Sequence, residues 1–184
     1  MELEKKNLRG AVIEGYTVLM RAEAELLLPK EKKEIGDFYI TLTKKCMAWA
    51  IEVRGEGLRA EFLAAKSSEE RARFPTRHYR FSMRYPWSDG SYAAILCESV
   101  LRGESGDSTH AFRRVSHVWN TEEEQMLPTE QILRLFYVRN ESFRSGFKAD
   151  GVYPENGMLV FYKNATKDSA FMEKRLDFGK NGKI

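Results

Sequence analysis

The sequence predicts an α+β domain: one long helix, or two, packed on a mainly antiparallel sheet of five to seven strands. Three observations carry this. Residues 79–85 alternate large apolar and polar side chains, as a half-buried strand does. The next segment, 91–101, is apolar on both parities and reads as a central strand covered on both faces. Upstream, Ile35, Phe38, Tyr39, Leu42, Cys46, Trp49, Ala50 and Val53 recur at helical spacing.

The 184 residues are 42% hydrophobic and 12% aromatic, enough for a single domain with a full core over residues 1–184. The charged first residues, 1–9, and the tail 179–184 read as flexible ends. From Gly10 to Leu28 the chain alternates with period two, as one strand or as two broken near Gly15 or Met20. Pro29 ends the run. In the helix that follows, burying Phe38, Leu42 and Trp49 would each contribute roughly 1.5–3 kcal/mol. Gly55 and Gly57 are expected to interrupt it. A second helical stretch then runs from Leu58 to Arg73, with a start signal at Ser67-Ser68-Glu69-Glu70.

In the sheet, Tyr79, Phe81, Met83 and Tyr85 form the inward row. Pro86–Gly90 is a turn, Gly103–Ser108 a polar glycine loop, and His110–Asn120 the third strand. Simple hairpins would set Glu98 opposite Arg113 on the Tyr79 face, a pair worth about 0.2–1 kcal/mol. The opposite face would then carry His78, Arg80, Arg84, Cys97 and Arg114. Residues 128–136 predict a short helix, and 157–162 and 171–178 predict two further strands.

This order of parts resembles a bacterial domain family of unknown function across about residues 22–165. The residues that carry the resemblance are Leu26-Leu27-Leu28-Pro29 before the long helix, and Val118-Trp119-Asn120 at the end of the third strand. Leu127-Pro128-Thr129-Glu130-Gln131-Ile132-Leu133 after the turn and the strand Gly157–Tyr162 complete it. The family occurs in the extracellular part of a lysozyme-sensing anti-sigma factor, beside polysaccharide deacetylase modules, and as stand-alone proteins of spore-forming bacteria. The family loop often reads Gly-Gly-Ala-His. Here Gly103-Glu104-Ser105-Gly106-Asp107-Ser108-Thr109-His110 departs from that pattern.

Composition and motifs argue against several function classes. A net charge of +3, from 30 basic and 27 acidic side chains, gives no nucleic-acid footprint. The aromatics of 79–85 face away from Arg80 and Arg84, so they offer no joint stacking platform. No apolar run approaches the roughly 18 residues of a membrane span, and the first residues are not a signal peptide. The expected setting is therefore cytoplasmic, with Cys46 and Cys97 reduced. The three histidines lack metal-ligand spacing, the glycine loop joins two strands instead of a strand and a helix, and no nucleophile elbow occurs. No metal or other cofactor is expected.

The reading that follows is a non-enzymatic domain with a protein or glycan ligand. Its candidate binding residues are His78, Arg80, Arg84, His110 and Arg114. A small hydrolase with a pocket between helix and sheet is the alternative. A sheet face left uncovered would be covered in a homodimer.

Overall fold

The computed structural model describes residues 1–103, 111–136, 147–166 and 168–178, with backbone only at 111 and 112. Nine strands, four α-helices and one π-helical segment are described. They form a six-stranded sheet of order β1-β2-β3-β4-β5-β6 and a separate three-stranded sheet of order β7-β8-β9. The expected sheet of about six strands is present and rich in antiparallel pairs, but a second sheet accompanies it. The chain divides into two compact units, Glu2–Ser82 with Ser99–Phe112, and Met83–Glu98 with Arg113–Ile184.

The first unit starts with a long hairpin. β1 (Leu3–Glu14) and β2 (Thr17–Pro29) pair antiparallel around Gly15, whose φ of +57° suits a residue without Cβ. β1 thus takes in residues 3–9. Ala22, Ala24, Leu26 and Leu28 of β2 are all buried, as their common parity requires. After β2 comes α1 (Lys33–Trp49), then the π segment Ala50–Arg54, then α2 (Gly55–Ala64), with no break between them. This crossover returns the chain to β3 (Arg77–Ser88), which pairs parallel with β2. A parallel neighbour needs such a crossover, and the helix supplies it.

The long helix lies where its spacing placed it, but its buried stripe is rotated. Ile35, Tyr39, Thr43, Met47 and Ala50 point inward, whereas Trp49 and Val53 are 45% and 55% exposed. Leu63 is exposed as well, while Leu58 and Phe62 are buried. Thr43 tolerates burial because its hydroxyl donates to the Tyr39 carbonyl one turn back, at 2.7 Å. Gly55 does not interrupt the helix. It is there because the helix passes close to β1: a Cβ at Gly55 would stand 2.8 Å from Val12 Cγ2. A short α3 (Ser68–Ala72) follows, capped as its sequence signals. The Ser67 hydroxyl accepts from the Glu70 N–H, and the Glu70 carboxylate accepts from the Lys66 N–H.

The second unit holds the far half of β3 and most of β4 (Tyr92–Arg102), with β5 (Ala111–Asn120), β6 (Gln125–Met126) and α4 (Thr129–Leu135). It also holds the sheet of β7 (Gly151–Glu155), β8 (Met158–Lys163) and β9 (Met172–Asp177). On β4, Ala93 through Cys97 are all buried, as the two-sided apolar pattern predicts. Ala94, Leu96 and Val118 share a core with Ile132 and Leu133 of α4 and with Val152, Leu159 and Phe161 of the second sheet. The fully buried Tyr153 and Tyr162 belong to the same core. Among the described residues, no helix is long and apolar enough to cross a membrane.

The two helix glycines should respond oppositely to alanine. Ordinarily a Gly→Ala change inside a helix stabilises by about 1 kcal/mol. Gly57→Ala, with nothing within 4 Å of the new Cβ, should gain that amount. Gly55→Ala meets Val12, which is only 1% exposed and cannot yield, so overpacking outweighs propensity and the change should cost about 1–2 kcal/mol. Urea midpoints of the two variants that shift in the same direction would contradict this packing.

Candidate functional site

Two places gather charged side chains, one in each unit. In the second unit, six residues form a closed ring of alternating charge: Arg84 of β3, Glu98 of β4, Arg114 of β5, Glu173 and Arg175 of β9, and Glu155 of β7. The Arg114 guanidinium is its centre. Nε and Nη2 donate to Glu98 Oε1 at 2.9 and 2.6 Å, and Nη1 donates to Glu173 Oε2 at 2.5 Å and to the Tyr153 hydroxyl at 3.0 Å. Glu173 accepts in turn from Arg175 Nε at 2.7 Å. Arg175 reaches Glu155 at 3.7 Å, Glu155 is hydrogen-bonded to Arg84, and Arg84 returns to Glu98 at 3.9 Å.

Aromatic rings close around the same guanidinium. Its carbon lies 4.9 Å from the Phe171 ring centroid, and 5.6 and 5.7 Å from those of Tyr153 and Tyr162. Burial by itself works against the charge. The hydrogen bond to Glu173, followed by the influence of Tyr153 and Glu98, overcomes it, and the Arg114 pKa is raised. Burial likewise pushes Glu173 up, but the hydrogen bonds from Arg114 and Arg175 outweigh it and hold the carboxyl below its usual range. Burial moves the Tyr153 hydroxyl to about 12, so it stays neutral beside Arg114.

The backbone beneath Arg114 is also fully engaged. The Asn164 side chain accepts from the Arg114 N–H at 2.6 Å and donates to its carbonyl at 2.9 Å, imitating a neighbouring strand. The Tyr162 hydroxyl accepts from the Ser116 N–H at 2.8 Å. That hydroxyl passes so close to Gly151 that no other residue fits there: an added Cβ would lie 2.5 Å from Tyr162 Cζ. A side-chain network so completely paired orients its members rigidly and leaves none of the ring carboxylates as a lone base.

In the first unit, the face of the β1–β2–β3 ladder turned away from the buried Ala22–Leu28 row is polar. An open cavity of about 220 Å³ lies on it, lined by Lys5, Asn7 and Arg9 of β1, Glu23 and Glu25 of β2, and Arg80 of β3. The register explains the grouping, because Arg9 stands beside Glu23 and Glu23 beside Arg80. Lys5 and Glu25 form an ion pair at 2.9 Å. Arg9, Glu23 and Arg80 make no ion pair with any described residue.

The sequence-derived candidates divide between these places. Arg84 and Arg114 meet in the ring, whereas Arg80 lines the cavity and exposed His78 stands beside Arg21 on the same polar face. His110 lies outside the described residues. The expected pair of Glu98 with Arg113 is corrected: Glu98 binds Arg114 and reaches Arg84, and Arg113 is exposed. Cys97 is correspondingly on the other face, beside Tyr85, whose hydroxyl pKa is pushed up by burial and by that thiol. β3 continues through Pro86 and Trp87 to Ser88, so the simple hairpins assumed from the sequence do not set the register. With a side-chain period of two, an odd shift in a hairpin exchanges the faces. Sequence reasoning missed Glu155 and Glu173. The one local signal was the shared parity of Glu173 and Arg175 in a strand with little apolar content. Among the described residues, no three His, Cys, Asp or Glu side chains gather as a metal ion would need.

Arg114→Ala leaves Glu98 and Glu173 with only Arg84 and Arg175 and should destabilise the protein by about 3 kcal/mol, with much of the loss recovered in a double variant that also carries Glu173→Gln. A denaturation cycle in which the two changes simply add would rule out the coupling. Burial lowers the His117 pKa from 6.5 to about 4. The unfolded chain therefore binds the extra proton first as pH falls. This contribution is fully present above 6.5 and fades towards 4, by at most about 3 kcal/mol. Glu173, depressed below 4.5, acts in the same direction at lower pH. Stability measured from pH 7.5 to 4.5 should fall less steeply in His117→Gln, and an unchanged slope would contradict the assignment.

No family model and no curated protein matches the sequence. Its fold is similar to that of a member of the DUF3298 family from Bacteroides fragilis, with a TM-score of 0.56 and 9% sequence identity, over 97% of this chain and 91% of that one. A DUF3298 family protein from Pseudomonas aeruginosa overlaps at a TM-score of 0.49 and 12% identity, over 98% of this chain and 93% of that one. At such identities the likeness is one of fold alone: this chain folds like a bacterial family of unassigned function.

Proposed function

We propose that this protein is a non-enzymatic recognition domain that binds a protein or glycan ligand across the polar face of β1–β3. The observation that carries the reading is the open cavity between Arg9, Glu23 and Arg80, whose charges have no partner among the described residues. Charges that solvent alone satisfies are available to a ligand. The ionisable groups that converge in the other unit are each other's partners, which suits a structural role and not acid–base chemistry. The resemblance to lysozyme-sensing and cell-wall-associated domains adds an associational argument for protein or glycan ligands. Cys46 and Cys97, which are not joined in a disulfide, fit work in a reducing, cytoplasmic setting.

The test is calorimetric titration of the intact protein with lysozyme and with soluble peptidoglycan fragments, each followed by mass analysis of the ligand. At least one should bind saturably and be recovered unchanged, and Arg80→Glu should weaken that binding at least about tenfold. Absence of binding by both, binding indifferent to Arg80→Glu, or recovery of cleaved ligand would each overturn the reading.

A further inference from the structure

The two outer strands of the long sheet are finished differently. On β5 several outward backbone groups from Arg114 to Asn120 have partners. Asn164 serves both groups of Arg114, Tyr162 serves the Ser116 N–H, the Leu127 N–H serves the Val118 carbonyl, and β6 pairs with Trp119 and Asn120. Much of that edge is taken. β1, at the other end of the order, is 12 residues long and, among the described residues, pairs only with β2.

The phase of β1 follows from its register. The Lys30 N–H donates to the Glu2 carbonyl at 3.0 Å, and Pro29, which has no N–H, stands opposite Leu3. Even-numbered residues of β1 therefore exchange hydrogen bonds with β2. Odd-numbered residues, up to the irregularity at Val12/Ile13, turn their N–H and C=O groups outward. Among the described residues, nothing bonds to the outward backbone of Lys5, Asn7 or Arg9. These are the same residues whose side chains line the cavity.

We infer that the outer edge of β1 receives an extended acidic peptide segment as an added strand. This deepens the recognition reading and rests on it. Main-chain bonding to Lys5, Asn7 and Arg9 would supply affinity, and alternate side chains would supply specificity. On one parity the incoming side chains lie beside Lys5, Asn7 and Arg9, so this parity takes Asp or Glu. On the other they lie beside Leu8 and Gly10, beneath the half-buried Ile51, whose Cδ1 is 2.5 Å from where a Gly10 Cβ would be. This parity takes apolar residues. A second copy of β1 fits poorly, because it would bring its own Lys5, Lys6 and Arg9 against these. Lysine on an open edge is a common guard against such self-pairing.

The probe is a fluorescein-labelled peptide of alternating Glu and Val cut to the length of β1, with a Lys–Val peptide as control. Binding is read by anisotropy, and amide exchange is followed on the intact protein. The Glu–Val peptide should bind and slow exchange at the Lys5, Asn7 and Arg9 amides, and the Lys–Val peptide should not. Asn7→Pro, which removes one outward N–H but no bond to β2, should weaken binding at least about tenfold. So should the backbone-neutral pair Lys5→Glu with Arg9→Glu, which keeps the test valid if the proline variant misfolds. No binding, binding that leaves those three amides unprotected, or binding unaffected in both variants overturns the inference. So does protection of the same amides by self-association without peptide, the outcome expected if a second copy is the occupant. A ligand from the titration above that is lost with Arg80→Glu, yet retained by Asn7→Pro and by the charge-reversed pair, would keep the polar-face reading and remove the edge.

Discussion

The second unit depends on one electrostatic constraint. Its part of the long sheet turns charged residues, Arg84, Glu98 and Arg114, to the face that the three-stranded sheet covers. Charges withdrawn from water are costly unless paired and hydrogen-bonded. The covering sheet supplies what is missing: Glu155 from β7 and Glu173 and Arg175 from β9 complete a ring in which every carboxylate stands between two guanidinium groups. The ring also demands geometry. Arg114 donates in three directions at once, so β4, β9 and the Tyr153 hydroxyl must all stand within hydrogen-bonding distance of one planar group. An apolar contact would bind the sheets as well, but it would fix their register less tightly.

This arrangement decides where function can lie. Three carboxylates near one another would suggest chemistry in many proteins. Here their oxygens are taken, and the arginine between them is boxed by Phe171, Tyr153 and Tyr162. The first unit presents the opposite case. On its polar face strand register sets charges side by side, of which Arg9, Glu23 and Arg80 make no ion pair with any described residue, and its outer strand turns backbone groups outward at Lys5, Asn7 and Arg9. Open valences of this kind are what the proposed recognition role would use.

Much of this was legible in the sequence where the signal is local. The alternation of Tyr79–Tyr85, the two-sided apolar run of β4, the Ser67 cap and the strands β8 and β9 are all where short-range patterns put them. The helix was legible in place but not in face, and it runs on through the expected break at Gly55. Large residues drew the expected stripe towards Trp49 and Val53, whereas Thr43 is buried because its own backbone satisfies it. Non-local facts were hidden. Parallel pairing of β2 with β3 depends on the crossover and not on either strand's pattern. β7 is five residues with a proline inside it, and nothing in Gly151–Glu155 announces a strand. Arg84 and Arg114 stood out by residue type, but their partners Glu155 and Glu173 are 71 and 59 residues away. A face that looked open to ligands was therefore a face awaiting a second sheet.

Amide hydrogen exchange along β9 in an Arg114→Met variant tests the central claim most directly. Methionine keeps the apolar bulk and removes the donors. If the ring seats the second sheet, the β9 amides from Met172 to Asp177 should exchange much faster than in the parent protein, while those of β4 around Leu96 keep their protection. Unchanged protection along β9 would show that apolar packing alone holds the sheet in place, and that the ring is a consequence of the fold and not its constraint.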